Sequence, residues 1–109
     1  MPFYTRETML RRKELVAGAM ANLAWGEKLM LSLVEIEPGA VVPMHSHPHE
    51  QGGIGVEGQF DLIIGNERRR IGPGDMYIIP GGVPHSAIGL DRRSVVLDIF
   101  SPIREDYQK

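Results

Sequence analysis

The sequence predicts an all-β fold, formed by many short strands in a single domain. At 109 residues the chain is long enough for one domain with a modest hydrophobic core, but too short for a catalytic domain plus a separate regulatory one. Its 13 glycines and 8 prolines are typical of short elements joined by tight turns. We therefore expect that long helices do not dominate, and that one site within residues 1–109 accounts for the function.

The first 26 residues fit two interpretations. Their apolar side chains recur at helical spacing, at Val16, Ala19, Met20 and Leu23. Two glycines, at positions 18 and 26, interrupt this pattern. The alternative is a pair of short strands, residues 14–17 and 22–24, along the edge of a sheet. Local pattern alone favours the helix.

Turn-forming residues divide the rest of the chain into segments that are predicted as strands. These segments span residues 28–37, 41–47, 53–57, 59–64, 67–71, 76–79, 85–89 and 94–100. The first carries apolar residues on both faces, which fits a strand buried on both sides. The turn at Gly65 and Asn66 predicts a hairpin between its flanking strands. The arginine run at 68–70 is then the solvated face of a hairpin strand.

Glycines 52, 53 and 55 are unusual in a strand. Glycine within a strand often marks a close approach of two backbones or space left for a ligand. A loose edge strand is the other interpretation. The residues alone leave these two interpretations open.

The last predicted strand carries one acid among apolar residues. Ser94, Val96, Asp98 and Phe100 share one face, and Val95, Leu97 and Ile99 share the other. Asp98 is therefore either a site residue or a structural acceptor for buried hydroxyl groups, and Phe100 is either a pocket residue or plain core. Residues 104–109 are expected to form a polar tail, in which Arg104 is either a site residue or a surface cation.

Composition excludes several classes of function. With 12 basic and 14 acidic residues, the net charge of -2 offers no footprint for nucleic acid or an anionic membrane. The chain has no cysteine, so any metal must be held by nitrogen and oxygen. No apolar run approaches the roughly 20 residues of a spanning helix, and a signal-peptide pattern is absent. We expect a soluble, cytoplasmic protein.

One stretch is dense in potential metal ligands. It runs from His45 through His47 and His49 to Glu50 and Gln51. A His-x-His pair in an extended segment places two imidazoles on one face. A site that does chemistry on a divalent ion needs three or more protein ligands and an open position.

The remaining ligands of such a site can be sought elsewhere in the chain. His85 follows a proline-rich turn and is the natural third ligand. Glu50 and Gln51 compete for the fourth place, and ligand type alone favours the carboxylate of Glu50.

The chain resembles the cupins, a family of small β-barrels, on two signature stretches that match in order and spacing. The first is carried by Gly39, His45, His47, position 51 and Gly58, and the second by Gly74, Pro80, Gly82, His85 and position 89. The resemblance implies a double-stranded β-helix, the jelly-roll cupin barrel, whose metal site is formed by residues 39–58 and 74–89. It also favours strands within residues 1–26.

The signature differs from the family pattern at two positions. It places Gln51, rather than Glu50, in the ligand position where most metal cupins carry glutamate. Gly89 stands where the second stretch has asparagine. His49 and Glu50 are then expected to face solvent or to support the ligands. A neutral amide leaves the ion its full charge, so the ion becomes a stronger Lewis acid and binds less tightly.

Together with the histidine stretch, the run at residues 98–107 resembles KdgF-type pectin-degradation cupins, which convert 4,5-unsaturated monouronates to linear ketone sugars. That resemblance implies a lyase- or isomerase-type enzyme with His45, His47, Gln51 and His85 as metal ligands, Asp98 as the acid/base, and Phe100 and Arg104 as substrate-binding residues. The expected substrate is a sugar acid. The metal is a divalent transition ion, and nickel, iron, manganese, zinc and cobalt all suit the ligands.

Two other functions fit the same ligands. A cupin dioxygenase would use the same metal face and consume oxygen, and a non-catalytic metal- or sugar-binding cupin would bind ligand without forming product. The resemblance also implies a homodimer through strand exchange at the N-terminal edge, with Val95, Leu97 and Ile99 available for sheet packing.

Overall fold

The computed structural model describes residues 2–109 and is built almost entirely of antiparallel strands. The strands are β1 (Arg11–Val16), β2 (Ala19–Trp25), β3 (Met30–Ile36), β4 (Val41–His45), β5 (Glu50–Glu57), β6 (Phe60–Ile64), β7 (Glu67–Ile71), β8 (Met76–Ile79), β9 (His85–Gly89) and β10 (Ser94–Ser101). A single 3-10 turn follows them at Glu105–Gln108. No helix among the described residues is long and apolar enough to cross a membrane.

The strands form two sheets that enclose the core of a jelly roll. One sheet has the order β1-β2-β3-β10-β5-β8, and the other has the order β4-β9-β6-β7. Leu23, Met30 and Ile79 of the larger sheet are fully buried, as is Phe60 of the smaller one at 2% exposure. Apolar burial between two sheets is the main source of stability in such a fold. The all-β jelly-roll prediction is confirmed.

The strand interpretation of residues 1–26 is correct, and the helix favoured by local pattern is wrong. β1 pairs antiparallel with β2, so that Arg11 lies opposite Leu23. Gly18 makes the turn between them with a positive φ of 85°, which glycine adopts without steric cost. Ala19, Ala21 and Leu23 share one face of β2 and are fully buried, and Asn22 and Ala24 on the other face are also buried, at 6% and 8% exposure. The homodimer, expected through this edge of the sheet, stays a prediction.

β3 is buried on one face only, which corrects the expectation that both faces are buried. Met30, Ser32, Val34 and Ile36 point into the core. Leu31 on the opposite face is 39% exposed. The described residues form two sheet layers, and the outer face of β3 meets only part of the N-terminal segment, where Tyr4 and Met9 line a shallow pocket with Leu31 and Leu33.

β5 lies inside the larger sheet, between β10 and β8. It begins at Glu50, earlier than predicted, so Gln51 belongs to the strand. A Cβ atom added to Gly55 would lie 2.2 Å from the carbonyl oxygen of Gly72. This is a close approach of two backbones, so the loose edge strand is excluded.

The hairpin from β6 to β7 turns at Gly65 and Asn66, as predicted. The arginine run on β7 is exposed, also as predicted. Two of its members contact the buried Asp61 on β6, because Arg68 and Arg70 place nitrogen atoms 2.8 and 3.1 Å from its carboxylate. These contacts hold the pKa of Asp61 below its ordinary value.

The C-terminal residues fold back over the barrel, which corrects the expectation of a polar tail. Arg104 is only 8% exposed, so its interpretation as a surface cation is wrong. The ring of Tyr107 packs against that of Phe100, with 5.6 Å between the ring centres. This aromatic contact holds the Glu105–Gln108 turn against one end of the core.

Candidate functional site

Three histidines converge at one end of the barrel. His45 ends β4 and His85 begins β9, and the two are direct partners across the antiparallel strand pair. His47 lies just beyond β4 in the loop that leads to β5, because β4 ends two residues earlier than predicted. One potential ligand atom from each lies within 4.8 Å of the others. The strand pair fixes two of the imidazoles, and the loop brings the third.

Each of these imidazoles is oriented by the main chain. Nδ1 of each ring is hydrogen-bonded to a carbonyl oxygen two residues away, with distances of 2.8 Å from His45 to Pro43, 2.9 Å from His85 to Val83 and 3.1 Å from His47 to His49. An imidazole that donates through Nδ1 presents the lone pair of Nε2. Such carbonyl contacts are the usual support of metal-binding histidines.

The donor atoms fit a cation. Nε2 of His85 is buried and has no hydrogen-bond partner. Nε2 of His47 lies 3.0 Å from Oε1 of Gln51, although both atoms are acceptors when the imidazole is neutral and donates through Nδ1. Two acceptors at this distance repel each other unless a proton or a cation lies between them. The three imidazoles and the amide oxygen therefore form a donor set that suits a divalent transition metal.

Burial keeps two of these imidazoles in the neutral form that could bind a metal. It lowers the pKa of His85 to about 4. The pKa of His47 is also lowered, first by burial and then by the positive charge of Arg104. Protons therefore compete weakly with a metal at these two ligands near neutral pH.

Asp98 lies on the inner face of β10 and is 9% exposed. Burial raises the pKa of its carboxyl group to about 6, although hydrogen bonds from Tyr77 and Gln51 and the charge of Arg104 oppose the shift. The Tyr77 hydroxyl donates to Oδ1 of Asp98. A carboxyl group with a pKa near neutrality can both release and accept a proton under ordinary conditions.

The side chain of Arg104 is held by aromatic rings. Its guanidinium carbon lies 3.8 Å from the ring centre of Tyr107 and 5.1 Å from that of Phe100. Asp106 accepts a hydrogen bond from its Nη2 at 2.9 Å. The ring of Phe100 also contacts that of His47, with 5.7 Å between the centres. Phe100 therefore contacts both the guanidinium group of Arg104 and the histidine cluster.

Six of the seven predicted site residues line one small cavity of about 60 Å³, and His47 does not. Those that line it are His45, Gln51, His85, Asp98, Phe100 and Arg104. A larger groove of about 380 Å³ lies beside it. The residues that line both spaces are Leu15, Val42, His45, Arg104 and Tyr107.

Comparison with known proteins identifies the family. The profile of the cupin domain family Cupin_2 matches residues 32–100, which covers more than half of the chain. This chain belongs to the cupin family.

Relatives of this cupin include proteins of pectin degradation. It is 33% identical over 86 residues to the pectin degradation protein KdgF of Dickeya dadantii, with 78% of each chain covered. The structure of KdgF from Halomonas sp. superposes with a TM-score of 0.81 at 34% identity, covering 88% of this chain and 89% of the other.

A further match is the dimethylsulfoniopropionate lyase DddQ of Ruegeria pomeroyi, 32% identical over 68% of this chain and 37% of its own. These relatives are named for pectin degradation and for lyase activity, which supports an enzymatic function for this cupin in general terms.

Two tyrosines of this cupin site were not predicted. From the sequence, Tyr77 was expected to lie in a strand with no role in the site, and Tyr107 was expected to lie in a polar tail. Gly53 was the one feature of the sequence that pointed to Tyr77. A side chain at position 53 would collide with the tyrosine ring, since a Cβ atom there would lie 2.2 Å from its Cζ. Among the residues assigned supporting roles, His49 orients His47 through its carbonyl oxygen, and Glu50 is exposed.

Proposed function

We propose that this cupin is a metal-dependent enzyme that opens and ketonises 4,5-unsaturated monouronates derived from pectin or alginate. One observation carries the proposal: the buried carboxyl group of Asp98 shares a cavity with Arg104 and the imidazole cluster. A proton-transfer group, a cation for the carboxylate of a sugar acid, and a metal-binding face therefore meet at one point. The similarity to KdgF supports the choice of substrate.

His45, His47, His85 and Gln51 would hold the divalent ion. When bound, the ion supplies Lewis acidity to oxygen atoms of the substrate. All four donors are neutral, since the imidazoles are uncharged and Gln51 is an amide, so none of the ion's charge is cancelled by the protein. This donor set suits the polarisation of an oxygen-rich anion.

The chain's own residues account for binding and proton transfer. Arg104 binds the C6 carboxylate of the uronate, and the ring of Phe100 contacts the sugar. The hemiacetal bond between C1 and the ring oxygen breaks as the C1 hydroxyl loses its proton, leaving an aldehyde at C1 and an enol at C5. Asp98 in its acid form delivers a proton to C4 as the enol proton leaves, which produces a ketone at C5.

This reaction is an isomerisation. In the ring-opening step, the C1 hydroxyl loses one proton and the ring oxygen gains one. In the ketonisation step, the enol hydroxyl loses one proton and C4 gains one. Neither water nor an oxidant is consumed. The carboxyl group of Asp98 is well suited to such a transfer because its pKa is about 6.

Entry of the substrate requires movement of the wall between groove and cavity. The inner cavity of about 60 Å³ is well below the roughly 300 to 1,000 Å³ of typical ligand sites. Arg104 and Tyr107 are the two residues outside the strands that line both this cavity and the outer groove. Displacement of the Glu105–Gln108 turn, which carries Tyr107, would widen the cavity towards the groove without disturbing a strand.

The test is an ultraviolet assay on unsaturated galacturonate. Protein with its metal content confirmed by elemental analysis should bleach the substrate absorbance faster than the spontaneous rate. Asp98→Ala should remove all but a small residual turnover with unchanged metal content, whereas the exposed control Asp91→Ala should remain active. A metal-loaded protein that does not exceed the spontaneous rate would refute the proposal.

Two other outcomes would point to a different cupin function. Oxygen consumption with candidate substrates would indicate a dioxygenase that uses the same imidazole cluster. Saturable binding of a sugar acid without product would indicate a binding protein. An oxygen electrode and calorimetry distinguish these outcomes from uronate isomerisation.

A further inference from the structure

An inward-facing row of residues crosses four strands of the larger sheet. Ser32 on β3 lies opposite Asp98 on β10, which lies opposite Gly53 on β5, which lies opposite Tyr77 on β8. Partners across a sheet share a face. The row therefore places Asp98 and Tyr77 on either side of a residue that has no side chain.

The space above Gly53 is filled by these two neighbours. A Cβ atom built there would lie 2.2 Å from Cζ of Tyr77 and 2.7 Å from Oδ1 of Asp98. At Gly55, by contrast, the nearest atom is a backbone oxygen. Any other residue at position 53 would separate the tyrosine from the aspartate, whereas the glycine at 55 is required by chain packing.

The tyrosine occupies one oxygen of the carboxyl group. Its hydroxyl donates to Oδ1 of Asp98. On the opposite side of the row, the hydroxyl of Ser32 is buried and has no hydrogen-bond partner. Burial and the nearby Asp98 raise the pKa of Tyr77 well above its ordinary value, so its hydroxyl keeps its proton and remains a donor.

We propose that Tyr77 is a positioning residue for proton transfer at Asp98, and that Gly53 provides the space through which it acts. The role in catalysis rests on the proposed uronate isomerase function. A hydrogen bond at Oδ1 fixes the rotation of the carboxyl group about its χ2 torsion. The other oxygen is then held in one direction, towards the reacting proton.

The kinetic test removes the hydroxyl or fills the space. Tyr77→Phe keeps the ring, and Gly53→Ala displaces it. Both variants should lower kcat on unsaturated galacturonate roughly ten- to a hundredfold, as expected for a misplaced catalytic group. KM should remain within about twofold and metal content should not change, because neither residue is a proposed ligand.

Matched variants separate positioning from general damage. Gly52→Ala is the control on the same strand, since its new Cβ atom would lie 3.4 Å from the end of the Ile78 side chain and 3.9 Å from the carbonyl oxygen of Tyr77, both of them ordinary contacts. In the background of Asp98→Ala, Tyr77→Phe should cause no further loss of the residual rate, because it acts through the absent carboxyl group. A kcat of Tyr77→Phe within twofold of the parent enzyme would overturn the catalytic role.

A structural readout keeps this inference separate from the choice of substrate. In crystal structures, Asp98 should occupy one rotamer in the parent protein and a different or divided one in Tyr77→Phe. An unchanged Asp98 in that variant overturns the inference whether or not the protein turns over uronates. A displaced Asp98 in a protein without uronate activity supports the positioning role and refutes the proposed function.

Discussion

Gln51 contacts both halves of the proposed chemistry. Its Oε1 lies 3.0 Å from Nε2 of His47, and its side chain lines the same cavity as Asp98 and lowers the pKa of that carboxyl group. An amide can serve both neighbours because it carries an acceptor and a donor at once. A carboxylate in this position could serve only the metal side while Asp98 is ionised.

Replacing Gln51 with glutamate should therefore strengthen metal binding and weaken catalysis. The added negative charge would attract the ion and repel the ionised Asp98. We expect the dissociation constant of the metal to fall by ~10-fold, which corresponds to about 1.4 kcal/mol, while kcat decreases. Competition with a chromophoric chelator measures the affinity, and Gln59→Glu is the control outside the cavity. Unchanged metal affinity would show that position 51 is not a ligand.

Asp98 should lower the stability of the metal-free protein above neutral pH. Burial raises its pKa from 3.8 to about 6, so the folded state holds this proton more tightly than the unfolded state. The contribution of Asp98 therefore becomes unfavourable as the pH rises from about 4 through 6, and stays so at higher pH.

Asp98→Asn should accordingly stabilise the metal-free protein by about 3 kcal/mol at high pH, since one pKa unit corresponds to about 1.36 kcal/mol. The difference should vanish at about pH 3 and below, where the carboxyl group is neutral in both the folded and the unfolded states. Urea unfolding in the presence of a chelator measures the effect, with Asp91→Asn as the exposed control. Equal stability at pH 8 would contradict the raised pKa.

Among the elements, β5 depends most on its glycines. The added Cβ atom of Gly55→Ala would meet the carbonyl oxygen of Gly72 at 2.2 Å, and a backbone atom cannot move aside easily. We expect a destabilisation of about 2 kcal/mol or more. Gly52→Ala should change stability by less than about 0.5 kcal/mol, because its new Cβ atom would make only ordinary contacts. Thermal unfolding measures the stability of both variants. Equal destabilisation of Gly55→Ala and Gly52→Ala would contradict this prediction.

Local turn chemistry predicted most strand positions correctly. Strands bounded by glycine and proline, such as β6, β7 and β8, begin and end within one residue of their predicted bounds. The strands within residues 1–26 could be predicted only from the resemblance to cupins, because the apolar residues around Gly18 recur at helical spacing. The C-terminal turn was missed because the polar residues around Tyr107 hide its one apolar contact.

The arrangement of the site depended on information that local sequence does not hold. The pairing of Tyr77 with Asp98 requires the sheet order β10-β5-β8, in which strands far apart in sequence become neighbours. Likewise, the convergence of His45 and His85 follows from the β4–β9 register. The resemblance to the cupin signature predicted that His45 and His85 converge. Nothing in the sequence predicted the pairing of Tyr77 with Asp98.

In the whole molecule, the candidate ligands come from both sheets. His45 and His85 belong to the smaller sheet, and Gln51 to the larger one. A bound ion would therefore connect the two layers of the barrel. Metal binding to the folded state alone must also raise its stability by mass action.

Metal should accordingly raise the melting temperature. At a free concentration of 100 times Kd, the gain is about 2.7 kcal/mol, or roughly 10 °C for a domain of this size. Chelation should reverse it, and His85→Ala should lose the response in differential scanning fluorimetry. His49→Ala should keep it, because the variant retains the carbonyl oxygen that is hydrogen-bonded to Nδ1 of His47. A full response in His85→Ala would remove His85 from the site.

The placement of β10 has a consequence for how the protein is made. β10 is the last of the ten strands along the chain, so it leaves the ribosome after the nine others, yet it lies in the middle of the larger sheet, hydrogen-bonded to both β3 and β5. Until it emerges, those two strands present open edges and an apolar face, which are prone to aggregation. Asp98 and Phe100 arrive on the same strand. Completion of the sheet and arrival of the proposed acid/base are thus one event.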